Sequence, residues 1–410
     1  MFTQKDLTLI IPFNDDKKHL NNLIQSLNKY AKDCEWVFED ILQEPNETWD
    51  WLQKEIGPKY KNMVLYKNNR EGKELSVAES YNIGAMLATR KVMGILHPDM
   101  ILGPKYCTNI LKHIKPKTLV CALRVEPPLH PASGDKIQKN FGDDFNNLNI
   151  QGFNNFCKEL QKENNNKVSP AMFPPWTILR EDYLALNGCD ILYWPFQMDD
   201  TDFFIRAQLA GYEIKQALDA IVYHLTCRSA RWHQGINKET PLYYKNTTRT
   251  GSDFIRKWGS WYKNDTFNTP TVINVYRPSL YIESNSMTFD LLKSIEPYFT
   301  KIYISDKEII NSYISFIYDN NLSNIPQDIF ANKFISNISL LNNDPLVVTL
   351  KNGFTQNDIN ILHSITSFID NNKDARGTYT ITPCIILRIN DIINFNKDLI
   401  KNKVLIENEY

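Results

Sequence analysis

No glycine-rich phosphate loop occurs in this sequence: its 15 glycines never fall as G-x-G-x-x-G or as G-x-x-x-x-G-K-[S/T]. Such loops bring backbone N–H groups up to phosphate oxygens, so their absence argues against a Rossmann dinucleotide enzyme and a P-loop NTPase. Cysteine is equally unpatterned. Cys34, Cys107, Cys121, Cys157, Cys189, Cys227 and Cys384 form no C-x-x-C pair and no metal-ligand spacing. They read as free buried thiols of a reducing compartment. No apolar run is long enough to span a bilayer and no secretory h-region opens the chain. The expected location is the cytosol, with peripheral membrane contact left open. An excess of positive charge is also missing. The net charge of −1 supplies no global basic field that would advertise nucleic acid.

What is present is enough for two α/β domains. At 410 residues, with 42% hydrophobic and 23% charged residues, the chain can bury more than one core. Leu7-Thr8-Leu9-Ile10-Ile11-Pro12 is a continuous apolar run of the kind a central parallel strand shows. Leu20, Leu23, Ile24 and Leu27 then recur on one helical face. Strand-like runs follow at residues 36–38, 63–66, 92–96 and 119–123, with helical patterns at 76–88 and 104–114 between them. Strands alternating with helices predict a doubly wound sheet with one rim of ligand-binding loops. From 126 to 170 the pattern breaks down into Asn, Asp, Gly and Pro, which predicts an irregular insertion. A first domain is expected over 1–265. After Thr269-Pro270 the alternation restarts, predicting a smaller α/β accessory domain over 270–410 for acceptor placement or homo-oligomerisation.

The densest chemistry lies in Tyr193 to His224. Asp199, Asp200 and Asp202 open a helical pattern that Gly211 closes, and Ala220 to Tyr223 reads as a buried strand ending at His224. One Asp at a helix start is an ordinary N-cap. Three in four positions exceed what a cap needs, and their charges repel. Acidic or imidazole groups also follow two other strand-like runs, as Glu39/Asp40 and as His97/Asp99. Side chains at strand ends of an α/β sheet face the rim where sites are built. A carboxylate with an imidazole suits a divalent cation such as Mn²⁺ or Mg²⁺, and a second carboxylate off the metal suits a general base.

On these motifs residues 5–263 resemble the nucleotide-sugar glycosyltransferases of the GT-A fold, a Rossmann-like architecture, and family 2 most closely. Leu9 to Asn14 resembles the family's opening strand, and Asn82-Ile83-Gly84 with Ala88 its N-x-G-x-x-x-A helix. His97-Pro98-Asp99 stands where the family has D-x-D, Asp199 to Asp202 where it has E-D-x-D, and His224 where it has a late metal-binding histidine. The resemblance implies a nucleoside-diphosphate sugar as donor, a divalent cation, and inversion at the anomeric carbon. It implies Asp99 and His224 as metal ligands and Asp200 as the base, with Asp199 holding the acceptor. Pro12, Asn14, Glu39, Asp40, Asn82 and His97 would line the nucleotide site. His97 in place of the first Asp of D-x-D removes one carboxylate from the cation.

Arg228, Arg231 and Lys257 would neutralise the diphosphate, or are solvated surface charges. Trp176 and Trp194 would stack on sugar rings, or are core. The acceptor is open among glycan, lipid and protein, with surface-glycan synthesis as the first expectation. The competing readings are transfer to a modified nucleic-acid base, a catalytically silent binding module, and a nucleotidyltransferase. The last would want a phosphate loop that Phe13-Asn14-Asp15-Asp16 does not supply.

Overall fold

The computed structural model describes residues 1–70, 72–228, 231–232, 235–283 and 287–402. It forms two compact units whose chain segments interleave. Of the described residues, the first takes those within 1–244, 263–271 and 400–402, and the second those within 245–262 and 272–399. The chain therefore does not divide at one point near 265–270. Residues 400–402 belong to the first unit, where the Arg206 guanidinium reaches the Ile400 carbonyl at 3.4 Å and the Asn402 amide reaches the Gly188 carbonyl at 2.9 Å. The expected 270–410 domain beyond residue 402 lies outside the described residues.

The strands of the first unit are β1 (Leu7–Phe13), β2 (Glu35–Asp40), β3 (Met63–Lys67), β4 (Val92–Ile95), β5 (Met100–Leu102), β6 (Thr118–Glu126), β7 (Lys136–Gln138), β8 (Val168–Ser169), β9 (Trp176–Leu179) and β10 (Glu213–His224). Its helices are α1 (Lys17–Tyr30), α2 (Glu47–Trp51), α3 (Val77–Leu87), α4 (Tyr106–Leu111), α5 (Ile150–Glu163), α6 (Arg180–Ala185) and α7 (Asp199–Leu209). Among the described residues the strands make one sheet in the order β3-β2-β1-β4-β9-β6-β10-β5, with β7 on β6 and β8 on β10.

Alternation along the buried strands sends side chains to opposite faces. Leu9, Ile11, Trp36 and Phe38 pack under α1 through Leu20, Leu23, Ile24 and Leu27, each buried leucine contributing about 1.5–3 kcal/mol. Ile10, Val37 and Ile95 face α3 and α7 through Ala78, Tyr81, Phe203 and Ala207. Helix α3 starts on a reciprocal cap. The Glu79 N–H donates to Ser76 Oγ (3.0 Å), and the Ser76 N–H donates to the Glu79 carboxylate (2.7 Å). Gly84 lets α3 lie close to the sheet. A Cβ there would sit 2.5 Å from Ile10 Cγ2 and 2.7 Å from Glu39 Oε1.

The expected α/β sheet is parallel-rich and mixed, because β9 enters antiparallel between β4 and β6. One expectation is corrected. The stretch 126–170 is not irregular throughout: it contains β7, β8 and the 14-residue α5, whose Phe153 and Cys157 are buried. Its Asn-rich composition hid a helix that tertiary packing stabilises.

The second unit has its own sheet. The strands are β11 (Ser279–Ile282), β12 (Lys301–Tyr303), β13 (Phe334–Ile335), β14 (Leu346–Leu350), β15 (Gly377–Thr380) and β16 (Ile385–Ile389), ordered β13-β12-β11-β14-β16-β15. Its interior includes a buried charge network. Glu296 accepts from Arg256 (2.7 Å to Nη2), from the Tyr313 hydroxyl (3.2 Å) and from Lys333. No described helix is long and apolar enough to cross a membrane.

Candidate active site

Three strand ends supply the first group. His97 and Asp99 occupy the turn from β4 to β5, and the antiparallel pairing Met100↔His224 sets that turn beside the end of β10. The ligand atoms of His97, Asp99 and His224 all lie within 4.8 Å of one another. His224 Nε2 is 3.5 Å from Asp99 Oδ1. Asp99 Oδ2 accepts the Arg228 backbone N–H at 3.2 Å, whereas the buried Oδ1 has no hydrogen-bond donor among the described residues. Thr226 and Cys227 make that approach with successive left-handed residues, φ 62° and 58°.

Electrostatics follow from burial and from the neighbours. Burial pushes His97 down to about 4. Burial also opposes charge on His224, but the Asp99 and Glu126 carboxylates override it and push the imidazole up to about 9. Asp99 would be raised by burial; the His224 charge beside it holds it well below the usual carboxylate range. A buried carboxylate oxygen without a donor, next to two imidazoles, suits a borderline divalent cation such as Mn²⁺.

The second group opens α7. Gln197 and Met198, both left-handed at φ 70° and 63°, turn the chain into the helix. Asp202 is scaffold: it accepts from Arg206 Nε at 2.6 Å and from the Tyr193 hydroxyl at 3.1 Å. Asp199 is buried, one of its oxygens lacks a hydrogen-bond partner among the described residues, and burial with the Asp200 charge lifts its carboxyl well above the usual range. Asp200 is half-buried. Burial pushes it up to about 6, against the Trp176 indole N–H donated to its Oδ1 at 3.2 Å. Tyr81 stands between the two groups. Its hydroxyl hydrogen-bonds His97 Nε2 at 3.0 Å, and after burial the charges of Asp200 and Asp199 are the largest influences on it.

The remaining expected residues divide. Pro12 is buried within β1, and Asn14 stands just beyond its end. Asp40, at the end of β2, accepts from Lys67 Nζ and the Asn46 amide at 2.7 Å each. Arg228 is 8% exposed, and its side chain donates to the Asp143 carbonyl. Trp194 donates its indole N–H to the Glu74 carbonyl at 3.0 Å. Arg231 pairs with Glu239 and lies partly exposed.

Three others are fully buried. Glu39 is fully buried under Gly84 with neither oxygen hydrogen-bonded among the described residues, and burial lifts it well above the ordinary carboxyl range. Asn82 is fully buried too. Its amide oxygen accepts from the Tyr183 hydroxyl (2.6 Å) and the Cys189 N–H (3.0 Å), tying α3 to the loop after Gly188. Trp176 presents no free face. It is fully buried, stacked on Phe203 with ring centroids 5.0 Å apart, and positions Asp200 instead of stacking on a sugar. Lys257 belongs to the second unit, where it lines a small pocket with Arg256, Arg277 and Tyr298. Glu126, Tyr81 and the ligand position of His97 went unforeseen. The strand-like run to Leu123 extends to Glu126, and that extension was the available signal.

No protein-family model matches this sequence, and no curated protein does. Solved structures similar to part of the chain include GalNAc-T7 with UDP, GalNAc and Mn²⁺, at 16% identity and a TM-score of 0.44 over 62% of this chain. The mannosyltransferase PcManGT from Pyrobaculum calidifontis, in complex with GDP-Man and Mn²⁺, is similar at 15% identity and a TM-score of 0.41, again over 62%. S. aureus TarS 1–349 is similar at 12% identity and a TM-score of 0.38 over 61%. The matches span 48%, 63% and 65% of those three chains respectively, less than two thirds of each.

Proposed function

We propose that this protein is an inverting, metal-dependent glycosyltransferase, moving a sugar from a nucleoside-diphosphate sugar to an acceptor hydroxyl. One observation carries the reading. A cation-competent group, His97, Asp99 and His224, accompanies a separate carboxylate, Asp200, whose pKa burial lifts to about 6 and whose charge acts on the Tyr81 that hydrogen-bonds His97. A silent binding module would have no use for either the donorless Asp99 oxygen or the raised Asp200 carboxyl.

Asp99 and His224, with His97, would hold the cation. Bound there, it supplies charge neutralisation for the leaving diphosphate. The chain's own work is proton transfer and positioning. An acceptor hydroxyl is a poor nucleophile until its proton is taken, and Asp200 takes it. The acceptor oxygen then bonds to the anomeric carbon as the bond from that carbon to the diphosphate oxygen breaks. A single displacement inverts configuration. Asp199, its carboxyl lifted above the usual range by burial and the Asp200 charge, would help hold the acceptor.

The test is a panel of nucleotide sugars offered to the purified protein with Mn²⁺, reading thermal shift and release of nucleoside diphosphate. Asp99→Ala is expected to abolish metal-dependent nucleotide binding and His224→Ala to weaken it. Full turnover in excess EDTA would sink the metal role of both residues.

A further inference from the structure

Glu126 has no role in the mechanism above, yet it touches the metal group. It closes β6, one residue beyond the parallel pair Val125↔Tyr223, so its side chain meets His224 at the neighbouring strand end. Its side chain is 2% exposed, and Oε1 lies 2.9 Å from His224 Nδ1. Oε1 also takes Arg124 Nη1 at 2.7 Å, and Oε2 takes Lys136 Nζ at 3.0 Å. A carboxylate this buried is costly unless paired, and here it is paired on every side. Arg124 does not depend on Glu126 for a partner, because its other arm is bound to Asp135 and its guanidinium lies 3.6 Å over the Phe173 ring. Satisfying Arg124 therefore does not explain why Glu126 contacts His224.

An imidazole has two nitrogens, and the partner of one sets what the other presents. With Nδ1 facing Glu126, Nε2 is turned toward Asp99 Oδ1. A carboxylate on the far nitrogen of a ligating histidine fixes its tautomer and ring plane. We propose that Glu126 is a positioning residue of the cation site: it orients His224, while Arg124 and Lys136 hold Glu126 in place. This rests on reading His97, Asp99 and His224 as the cation site.

The experiment is an Mn²⁺ titration of the full chain, followed by the electron paramagnetic resonance of free Mn²⁺. Glu126→Ala should weaken Mn²⁺ binding by about 10- to 100-fold, the range for residues behind a ligating histidine. Glu126→Gln keeps an acceptor but loses the charge, and should fall between alanine and the parent. Asp135→Asn alters the same buried network without touching His224 and should bind Mn²⁺ like the parent. Equal weakening by Asp135→Asn would mean that the effect passes through the fold, which overturns the proposal. So would parent affinity in a folded Glu126→Ala protein. If the alanine variant does not fold, the glutamine variant decides, and parent affinity there overturns the proposal. A parent protein that binds no Mn²⁺ overturns this inference and the metal reading together. A parent that binds Mn²⁺ but turns over no nucleotide sugar overturns the proposed function and leaves Glu126 its positioning role.

Discussion

Replacing Asp200 by asparagine removes one proton acceptor and almost nothing else. The amide is the same size and can still accept the Trp176 indole N–H that lies 3.2 Å from Oδ1. A positioned general base contributes about 10²- to 10⁴-fold, or roughly 3–5 kcal/mol of barrier, so Asp200→Asn should lose turnover by that factor. Donor affinity should hold, because no proposed nucleotide contact involves Asp200. The pH profile adds a second reading. The base acts only when ionised, and its carboxyl stands at about 6. Turnover should therefore be near its plateau at pH 7 and fall as pH drops through 6, to about a tenth at pH 5 for a single titrating group. The indole N–H favours the carboxylate, so Trp176→Phe should shift that acid limb to higher pH. The assay is nucleoside diphosphate release across pH 5–8, with donor affinity measured for every variant. Near-parent turnover in Asp200→Asn beside a dead Asp199→Asn would place the base one residue earlier.

Glu39 should make folding pH-dependent. Its folded-state pKa lies well above its ordinary 4.5, so its contribution is fully present below 4.5 and is lost as pH rises toward the folded value, at about 1.4 kcal/mol per unit. Glu39→Gln should flatten the fall in urea-unfolding free energy above pH 4.5 by that slope, and parallel curves for parent and variant would refute the buried acid. Two imidazoles and one carboxylate favour Mn²⁺ over Mg²⁺, which prefers all-oxygen sites, so Mn²⁺ should bind at least about tenfold tighter by thermal shift. Equal shifts would count against His97 and His224 as ligands. Glu296→Ala strands the buried Lys333 charge and leaves Arg256 only Asp253, so it should cost about 3–5 kcal/mol of stability in melting. A loss under about 1 kcal/mol would show that those cations find other partners.

Much of the first sheet was legible because its signals are local. The apolar run of β1 and the one-face spacing of α1 each lie within a few residues, and each formed as read; the Ser76/Glu79 cap of α3 is equally local but went unread. At the strand ends Asp99 and His224 were candidates because both follow apolar runs that a sheet must bury, whereas His97 was expected at the nucleotide and stands within 4.8 Å of both. Asp202 turned out to serve the scaffold, leaving Asp199 and Asp200 as the pair with raised carboxyls.

What the sequence by itself determined was the alternation of elements and which residue types stand at their ends, because both depend on periodicity and on capping within one turn. Only the tertiary structure decided which of those side chains face outward. Glu39 and Asp40 are neighbours in sequence, yet opposite faces of β2 send Glu39 under Gly84 and Asp40 to Lys67. Trp176 became the partner of Asp200 because β9 threads antiparallel through the sheet, a choice that no local pattern encodes. Glu126 meets His224 across 98 residues of chain. Such a contact is fixed by strand order and register, which arise when distant segments share one core, so it cannot be read from either segment alone.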